Sequence, residues 1–338
     1  MSADTVKLVV TAKTDKNWLD KMSALSPGLQ LTDATELARA ELRYQRFGEG
    51  TPSSEAMDKL LAEADILYCM YVPYKLLTRA PGLRWLHTFS TGLEHLDGTG
   101  VLDSSFIVTN ARGVPAVPIA EHTLMFMLMF TKNMLKVIAN HRQKLGKRTQ
   151  PSSLEGKTVG IVGLGRIGSE VARLARTFQM RVLATRRSAT SRQEKVDGVD
   201  ILYPPQELKT LIAESDFVVV ALPVTTETRK IIGEAELKTM KPTAYLINVS
   251  RGAIVDEAAL IAALRRGQIA GAGLDVTETE PLPPESPLWD LPNVILTPHE
   301  SGATADYNDR GAKLFYENLK RYLDGQSLLN VVDKTKGY

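Results

Sequence analysis

The chain has 338 residues, and its 41 Lys and Arg against 39 Asp and Glu leave a formal net charge of +2, which excludes the basic excess that marks a nucleic-acid partner. Its 43% hydrophobic and 24% charged residues are those of an ordinary soluble globular protein, long enough for two domains. A single cysteine, Cys69, excludes an intramolecular disulfide framework and fits a reducing, cytoplasmic setting. The start, MSADTVKLVV, lacks a basic region ahead of a long apolar core, so no secretory signal is expected. The most apolar stretch, 119–130, is interrupted by Glu121, His122 and Thr123 and is too short and too polar to span a bilayer, so no membrane partner is expected.

Taken in order, the first part of the chain alternates strand and helix signals. Strands are predicted over 6–11, 66–70, 83–88 and 107–110, and helices over 18–25 and 57–64; residues 36–43 fit either state. Ser26-Pro27-Gly28 ends the first helix and Pro81-Gly82 marks a turn. This alternation predicts a small α/β domain. Pro115 and Pro118 then punctuate the chain. Residues 119–144 predict one long helix, apolar nearly all round up to Phe130 and so expected at a buried domain or subunit interface. A basic, polar connection follows over 146–153.

The most informative stretch is 158–168, TVGIVGLGRIG. A β-branched run, Thr158–Val162, reads as a buried parallel strand, and Gly163, Gly165 and Gly168 follow at the spacing GxGxxG. Val171, Leu174 and Ala175 then recur at helical spacing, and a second strand is predicted over 181–185. In this strand–turn–helix context the glycines point to a bound dinucleotide. Gly163 permits the tight turn, Gly165 lets a pyrophosphate approach the backbone, and Gly168 lets helix and strand pack closely. Arg166 and Ile167, inside the motif, open the helix whose free N–H groups face the phosphates. Four more strands are predicted over 217–221, 244–249, 270–276 and 294–297, with a clear helix over 256–266. Together they read as a doubly wound parallel sheet. A final amphipathic helix over 305–323 lies outside that series and is expected to return to the first domain.

Chemistry-bearing residues fall past the C-terminal ends of these strands, where ligands of open α/β sheets bind. His299 can hold and release a proton near neutral pH; the plainer reading is a surface histidine in a strand-end loop. Arg251 can grip a carboxylate with two parallel N–H bonds, or simply be a surface arginine opening a loop. A carboxylate beside His299 would stabilise its imidazolium, but Glu278, Glu280 and Glu285 crowd one proline-rich loop and spacing does not choose among them. Asp275, inside an apolar strand, needs a partner, either a nicotinamide carboxamide or a backbone cap. Asp256 reads as the N-cap of the following helix. His87, His95, His122 and His141 read as structural and without metal-ligand spacing, so no metal is expected, and Cys69 reads as buried and inert. The strand over 181–185 ends in Thr185-Arg186-Arg187, with no carboxylate where an NAD site places one on the ribose. Arginine can bind a 2′-phosphate, so NADP is favoured over NAD; solvated arginines, or arginines stacked on the adenine, are the alternative.

In combination these pieces resemble the D-isomer-specific 2-hydroxyacid dehydrogenase family over nearly the whole chain. The resemblance rests on Ser90-Thr91-Gly92-Leu93-Glu94-His95-Leu96-Asp97, Asn110 with Ala120-Glu121-His122, the glycine motif, Asn248-Val249-Ser250-Arg251-Gly252 with Asp256, and Gly273-Leu274-Asp275-Val276 through Glu280-Pro281-Leu282-Pro283 to Pro298-His299. It implies a Rossmann-type doubly wound domain, residues 116–302, inserted into a smaller flavodoxin-like substrate domain, residues 1–115 and 303–338, and a homodimer. It selects Glu280 as the partner of His299 and makes Arg251 the carboxylate-binding arginine. It turns Asp275 toward the nicotinamide and gives Thr91, Gly92 and Leu93 backbone contacts to the substrate, with Tyr71 and Val72 lining its cleft. Leu222, Pro223, Thr228, Val249, Ser250 and Gly302 join the cofactor site. Leu222 departs from the histidine or cysteine often found there, and Glu300-Ser301 replaces a usual small apolar pair. The expected activity is reversible reduction of a small 2-oxo acid, such as glyoxylate or hydroxypyruvate, to the D-2-hydroxy acid with NADP or NAD. The alternatives are a phosphoglycerate, formate or phosphite dehydrogenase, or a non-catalytic nucleotide sensor like the family's corepressors, whose long extensions are not expected in a sequence ending at Tyr338.

Overall fold

Runs such as ILYC, TVGIV and FVVV are apolar on both faces, and each forms a strand buried along its whole length, as parallel sheets covered by helices require. The computed structural model describes residues 5–51 and 53–335. Residues 1–4 and 336–338, which include the chain's first residues and Tyr338, lie outside the described residues.

In chain order the elements are β1 (Val6–Val10), α1 (Lys16–Ser23), β2 (Leu29–Asp33), α2 (Thr35–Phe47), α3 (Glu55–Ala62), β3 (Ile66–Cys69), α4 (Leu76–Arg79), β4 (Trp85–Thr88), β5 (Ile107–Asn110), α5 (Ala116–Thr131) and α6 (Met134–Arg142). They continue with β6 (Thr158–Val162), α7 (Arg166–Thr177), β7 (Arg181–Thr185), β8 (Gln193–Val196), β9 (Val199–Tyr203), α8 (Leu208–Glu214), β10 (Phe217–Val220), α9 (Glu234–Leu237) and β11 (Tyr245–Asn248). Last come α10 (Glu257–Arg265), β12 (Gly271–Leu274), β13 (Val294–Leu296) and α11 (Tyr307–Leu323). The chain divides into two compact units, one of Met1–Val114 with Thr304–Tyr338 and one of Pro115–Ala303.

In the first unit a parallel five-stranded sheet runs β2-β1-β3-β4-β5, the flavodoxin-like order. Helix α11 covers it with Ala312, Phe315 and Leu319, spaced three and four apart on one face. The Phe315 ring stacks on Tyr68 at 4.0 Å and on Trp85 at 5.2 Å. Such aromatic pairs add about 0.5–1.5 kcal/mol beyond their buried area.

In the second unit an eight-stranded sheet runs β13-β12-β11-β10-β6-β7-β9-β8. Every neighbouring pair is parallel except β8 with β9, and β6, at the centre, carries the glycine motif at its C-terminal end. This is the Rossmann-type order with added edge strands. Register aligns the C-terminal edge: Thr185, Val162, Val220, Asn248, Leu274 and Leu296 stand opposite one another across six adjacent strands. Every loop that carries a candidate residue in this unit leaves from that row.

Residues 119–144 are not one helix. The turn between α5 and α6 places Asn133 at φ 53°, and its side-chain amide donates to the Gln150 carbonyl at 2.8 Å. Asparagine tolerates the left-handed region, and a two-residue break leaves no mark on apolar periodicity. Burial follows the break: α5 holds ten buried residues, whereas α6 has none. Two strands had no apolar run to announce them. Strand β2, LQLTD, has only Leu29 fully buried, and β8, QEKV, is a polar edge strand that discourages further pairing. The ambiguous residues 36–43 lie within the helix α2.

Candidate active site

The glycine loop shows what each glycine does. Gly163 sits at φ 107°, where L side chains are strained, and a Cβ there would press on the Ala221 carbonyl. A Cβ on Gly168 would overlap the Gly163 carbonyl oxygen, so the start of α7 packs directly on the turn. A Cβ on Gly165 would meet nothing within 4 Å, so this glycine leaves open space beside the N-terminus of α7. That helix end has no side-chain cap. Free N–H groups beside an open glycine are what a pyrophosphate needs, so these residues fit a dinucleotide. Thr185 holds the loop: its hydroxyl accepts from Gly163 N at 3.2 Å and its carbonyl from Leu164 N at 2.8 Å.

Past Thr185, the Arg186 guanidinium donates to the Asp197 carboxylate at 2.6 Å, while Arg187 is exposed. Asp197 lies in the β8–β9 turn, a hairpin that polar sequence did not announce, so the pairing was invisible beforehand. The exposed pair is worth about 0–1 kcal/mol, too little to withhold Arg186 from a phosphate. In the loop after β10, Leu222 packs on the core, and the Thr228 hydroxyl is occupied in donating to the Pro223 carbonyl at 2.7 Å.

At the end of β11 the turn is built by Asn248. Its side-chain oxygen accepts from Ser250 N at 3.1 Å and Ser250 Oγ at 3.0 Å, and its amide donates to the Arg251 carbonyl at 2.9 Å. This Asx-type turn buries Val249 and Ser250 and delivers Arg251, half-exposed, three residues past the strand. The Arg251 guanidinium donates to the Ser250 carbonyl at 2.7 Å. Asp256 caps α10 by accepting from Ala259 N at 3.1 Å.

After β12 and β13 the chain brings Glu280 and His299 together. His299 Nδ1 lies 2.7 Å from Glu280 Oε2, and the other Glu280 oxygen accepts from Thr277 N at 3.2 Å. Both side chains are partly exposed, as groups that meet a ligand must be. His299 itself takes φ 53°, a conformation costing a non-glycine residue about 1–2 kcal/mol. Its N–H donates to the Asp275 carbonyl at 2.8 Å.

Asp275 is buried, and of its two possible roles the observed contacts are those of a cap. Its carboxylate accepts from the Thr297 hydroxyl at 2.6 Å, Glu300 N at 2.9 Å and Ser301 N at 3.0 Å. Burial alone would raise its pKa, but the donors at Ser301, Thr297 and Glu300 outweigh that and hold it below the usual carboxylate range. His122, read from sequence as structural, reaches the same cluster from α5, with Nε2 at 3.1 Å from Thr297 Oγ1. Sequence reasoning named Asn248 and His122 within motifs but missed the turn that Asn248 builds and the contact of His122 with Thr297. Only the Asn-x-Ser turn signature of Asn248 could have been found. Gly302 lets the loop pass close to Pro115, where a Cβ would lie at 3.0 Å.

In the first unit, the amides of Thr91, Gly92 and Leu93 donate no hydrogen bond within that unit among the described residues, and the Thr91 carbonyl is held by the Asn110 amide at 3.0 Å. Leu93 and Val72 are buried in the core, so they offer backbone rather than side chain, whereas Tyr71 is exposed. Tyr71 and Val72 line a cavity of about 270 Å³ with Thr11, Met70 and Phe89. Burial pushes the His87 pKa down to about 3 and the Cys69 thiol up to about 12, so both are neutral at pH 7. Among the described residues no group of three or more His, Cys, Asp or Glu could hold a metal ion, and no helix is long and apolar enough to cross a membrane.

The chain is similar to known proteins in both sequence and fold. The family model for the D-isomer specific 2-hydroxyacid dehydrogenase, NAD binding domain, matches residues 124–301. A glyoxylate reductase of Aeropyrum pernix is 39% identical over 297 residues, covering 84% of this chain and 87% of that protein. A glyoxylate reductase of Pyrococcus furiosus is 37% identical over 303 residues, 87% of each chain. The crystal structure of a D-isomer specific 2-hydroxyacid dehydrogenase from Xanthobacter autotrophicus Py2, in complex with NADPH and MES, aligns with a TM-score of 0.80 at 29% identity. That alignment covers 99% of this chain and 100% of the other.

Proposed function

Because this chain belongs to the D-isomer specific 2-hydroxyacid dehydrogenase family, we propose that it reduces a small 2-oxo acid such as glyoxylate or hydroxypyruvate to the D-2-hydroxy acid, His299 giving the proton. The reaction class is that of an NAD(P)-dependent oxidoreductase acting reversibly on a 2-oxo acid. When bound, the nicotinamide supplies the hydride.

The chain's own residues do the rest. The observation that carries the reading is the His299–Glu280 pair at 2.7 Å, set in the same row of strand ends as Arg251. Glu280 holds Nδ1, which leaves Nε2 to deliver the proton to the carbonyl oxygen. In the reverse direction the same nitrogen takes the proton from the hydroxyl. Arg251 grips the substrate carboxylate with its planar fork, and in the first unit the amides of Thr91, Gly92 and Leu93 are donors suited to a carboxylate. Gly163, Gly165, Arg166, Ile167 and Gly168 hold the pyrophosphate. Thr185, Leu222, Pro223 and Thr228 frame the adenosine side, and Val249, Ser250, Asp275 and Gly302 frame the nicotinamide side.

NADP is the preferred cofactor, since two arginines stand where an acidic residue would repel a 2′-phosphate. That the Xanthobacter relative was crystallised with NADPH supports this choice. The protein works in a reducing cytoplasm as a homodimer. Half-exposed Met125, Val137 and Ile138 along α5 and α6 supply apolar surface for a second copy, and light scattering in solution tests that state. The test of the reaction is a matrix of initial rates at 340 nm, NADPH and NADH each against glyoxylate, hydroxypyruvate, pyruvate and branched 2-oxo acids. Turnover with NADPH on a small 2-oxo acid is the expected result. Cofactor binding with no turnover on any of them contradicts it.

A further inference from the structure

The turn that carries His299 is clamped from both sides by one buried carboxylate. Asp275 Oδ1 accepts from the Thr297 hydroxyl at 2.6 Å and from Glu300 N at 2.9 Å, and Oδ2 accepts from Ser301 N at 3.0 Å. Thr297 lies two residues before His299, while Glu300 and Ser301 follow it directly. The Asp275 carbonyl takes the His299 N–H itself at 2.8 Å. A left-handed histidine persists only where its surroundings over-determine it, and these four bonds are those surroundings.

The clamp extends one residue further, to a different element. Thr297 has a single hydroxyl proton, and the short contact to an ionised carboxylate claims it. Thr297 Oγ1 therefore accepts from His122, whose Nε2 lies 3.1 Å away. The same nitrogen is 4.0 Å from Asp275 Oδ1. His122 must then carry its proton on Nε2. Its ring is mostly buried and packs edge-to-face on Phe126, one turn along α5, at 4.8 Å. Burial depresses its pKa, opposed by the charges of Asp275 and Glu300, so the ring is neutral at pH 7.

We infer that His122 and Thr297 are positioning residues for the proton donor. His122 Nε2–H fixes the direction of the Thr297 hydroxyl, that hydroxyl fixes the Asp275 carboxylate, and the carboxylate holds the His299 turn in the conformation that aims the imidazole. The chain runs from α5, through β13, to the loop after β12, and joins residues 175 positions apart in sequence. It rests on the reading of His299 as the proton donor.

Two readouts on the full-length protein test it. The first needs no cofactor or turnover: nitrogen-15 NMR of the imidazoles at pH 7, with the His122 signal assigned by its loss in His122→Gln. The neutral Nε2–H tautomer is expected; an Nδ1–H tautomer, or an imidazolium, overturns the chain. The second is kinetic. Thr297→Val keeps the shape and removes the hydroxyl, and Thr297→Ser restores it. Displacing a reacting group by about 1 Å costs roughly 100-fold, so Thr297→Val should lower kcat by about 10- to 100-fold with the KM for NADPH changed by less than about threefold. Thr297→Ser should recover to within about threefold of wild type. His122→Leu should fall with Thr297→Val, and the double variant should lose no more than either, because both break one chain. A Thr297→Val enzyme with wild-type kcat overturns the inference while leaving the donor role intact if His299→Ala, measured beside it, is inactive. A His299→Ala enzyme that keeps wild-type turnover overturns both.

Discussion

His299 Nδ1 stands 2.7 Å from Glu280 Oε2, and the two residues reach that contact from loops that leave neighbouring strands in register, Leu274 opposite Leu296. A carboxylate on one ring nitrogen fixes which nitrogen faces the reaction. Replacing Glu280 with Gln keeps a hydrogen-bonding group and removes the charge. The expected result is a loss of kcat of about 100-fold, the range of a positioned acid–base group, with the cofactor KM nearly unchanged. Steady-state rates over a range of pH check this, and an unchanged kcat would remove Glu280 from the mechanism.

Arg251 leaves β11 through the Asn248 turn, and its fork is the feature that matches a carboxylate. Changing Arg251 to Lys keeps the charge and loses the two parallel bonds. Hydrogen bonds to charged groups are worth about 1.5–3 kcal/mol, so kcat/KM for the 2-oxo acid should fall by roughly 10- to 100-fold. The affinity for NADPH, read by fluorescence titration without substrate, should hold. A loss confined to NADPH binding would place Arg251 in the cofactor site instead.

Arg186 and Arg187 follow the strand end at Thr185, and Arg186 already shares its charge with Asp197 at 2.6 Å. Substituting both arginines with Ser should raise the KM for NADPH by about tenfold or more and that for NADH by less than about threefold, since only the first carries a 2′-phosphate. Equal losses for the two cofactors would show that the arginines serve the adenine or the fold rather than the phosphate.

The first unit makes a separate prediction about pH. His87 is fully buried, its Nδ1 at 2.7 Å from Thr109 Oγ1, and burial brings its pKa down to about 3, below the 6.5 of an unfolded chain. On acidification the unfolded chain takes the proton first. The stability this histidine contributes is whole above about pH 6.5 and declines toward pH 3, at about 1.4 kcal/mol per pH unit. Urea unfolding between pH 7 and 5 should show that slope, and His87→Gln should flatten it. A slope unaltered by the substitution would assign it to other groups.

Much of this molecule could be read from the sequence where chemistry was local. The runs TVGIV and FVVV are apolar on both faces and formed buried parallel strands. The glycine spacing at 163–168 announced its own geometry because each glycine answers to a constraint within a few residues. What stayed hidden was either marginal or distant. Edge strands such as QEKV bury too little to leave a pattern, and so the Asp197 that meets Arg186 from the β8–β9 turn was unseen. The break at Asn133 is a single backbone choice inside an apolar run. His122 and Thr297 meet across 175 positions, and each alone looks like an ordinary polar residue on an ordinary element. The choice among Glu278, Glu280 and Glu285 was likewise settled by resemblance, not by spacing; in the structure it is Glu280 that contacts His299.

That His299 moves the proton is tested most directly by the His299→Ala variant, assayed for NADPH binding by fluorescence and for glyoxylate or hydroxypyruvate reduction at 340 nm. The expected result is binding within about threefold of wild type and turnover reduced by at least about 100-fold. Turnover at the wild-type rate with binding intact would contradict it and pass the proton to another group.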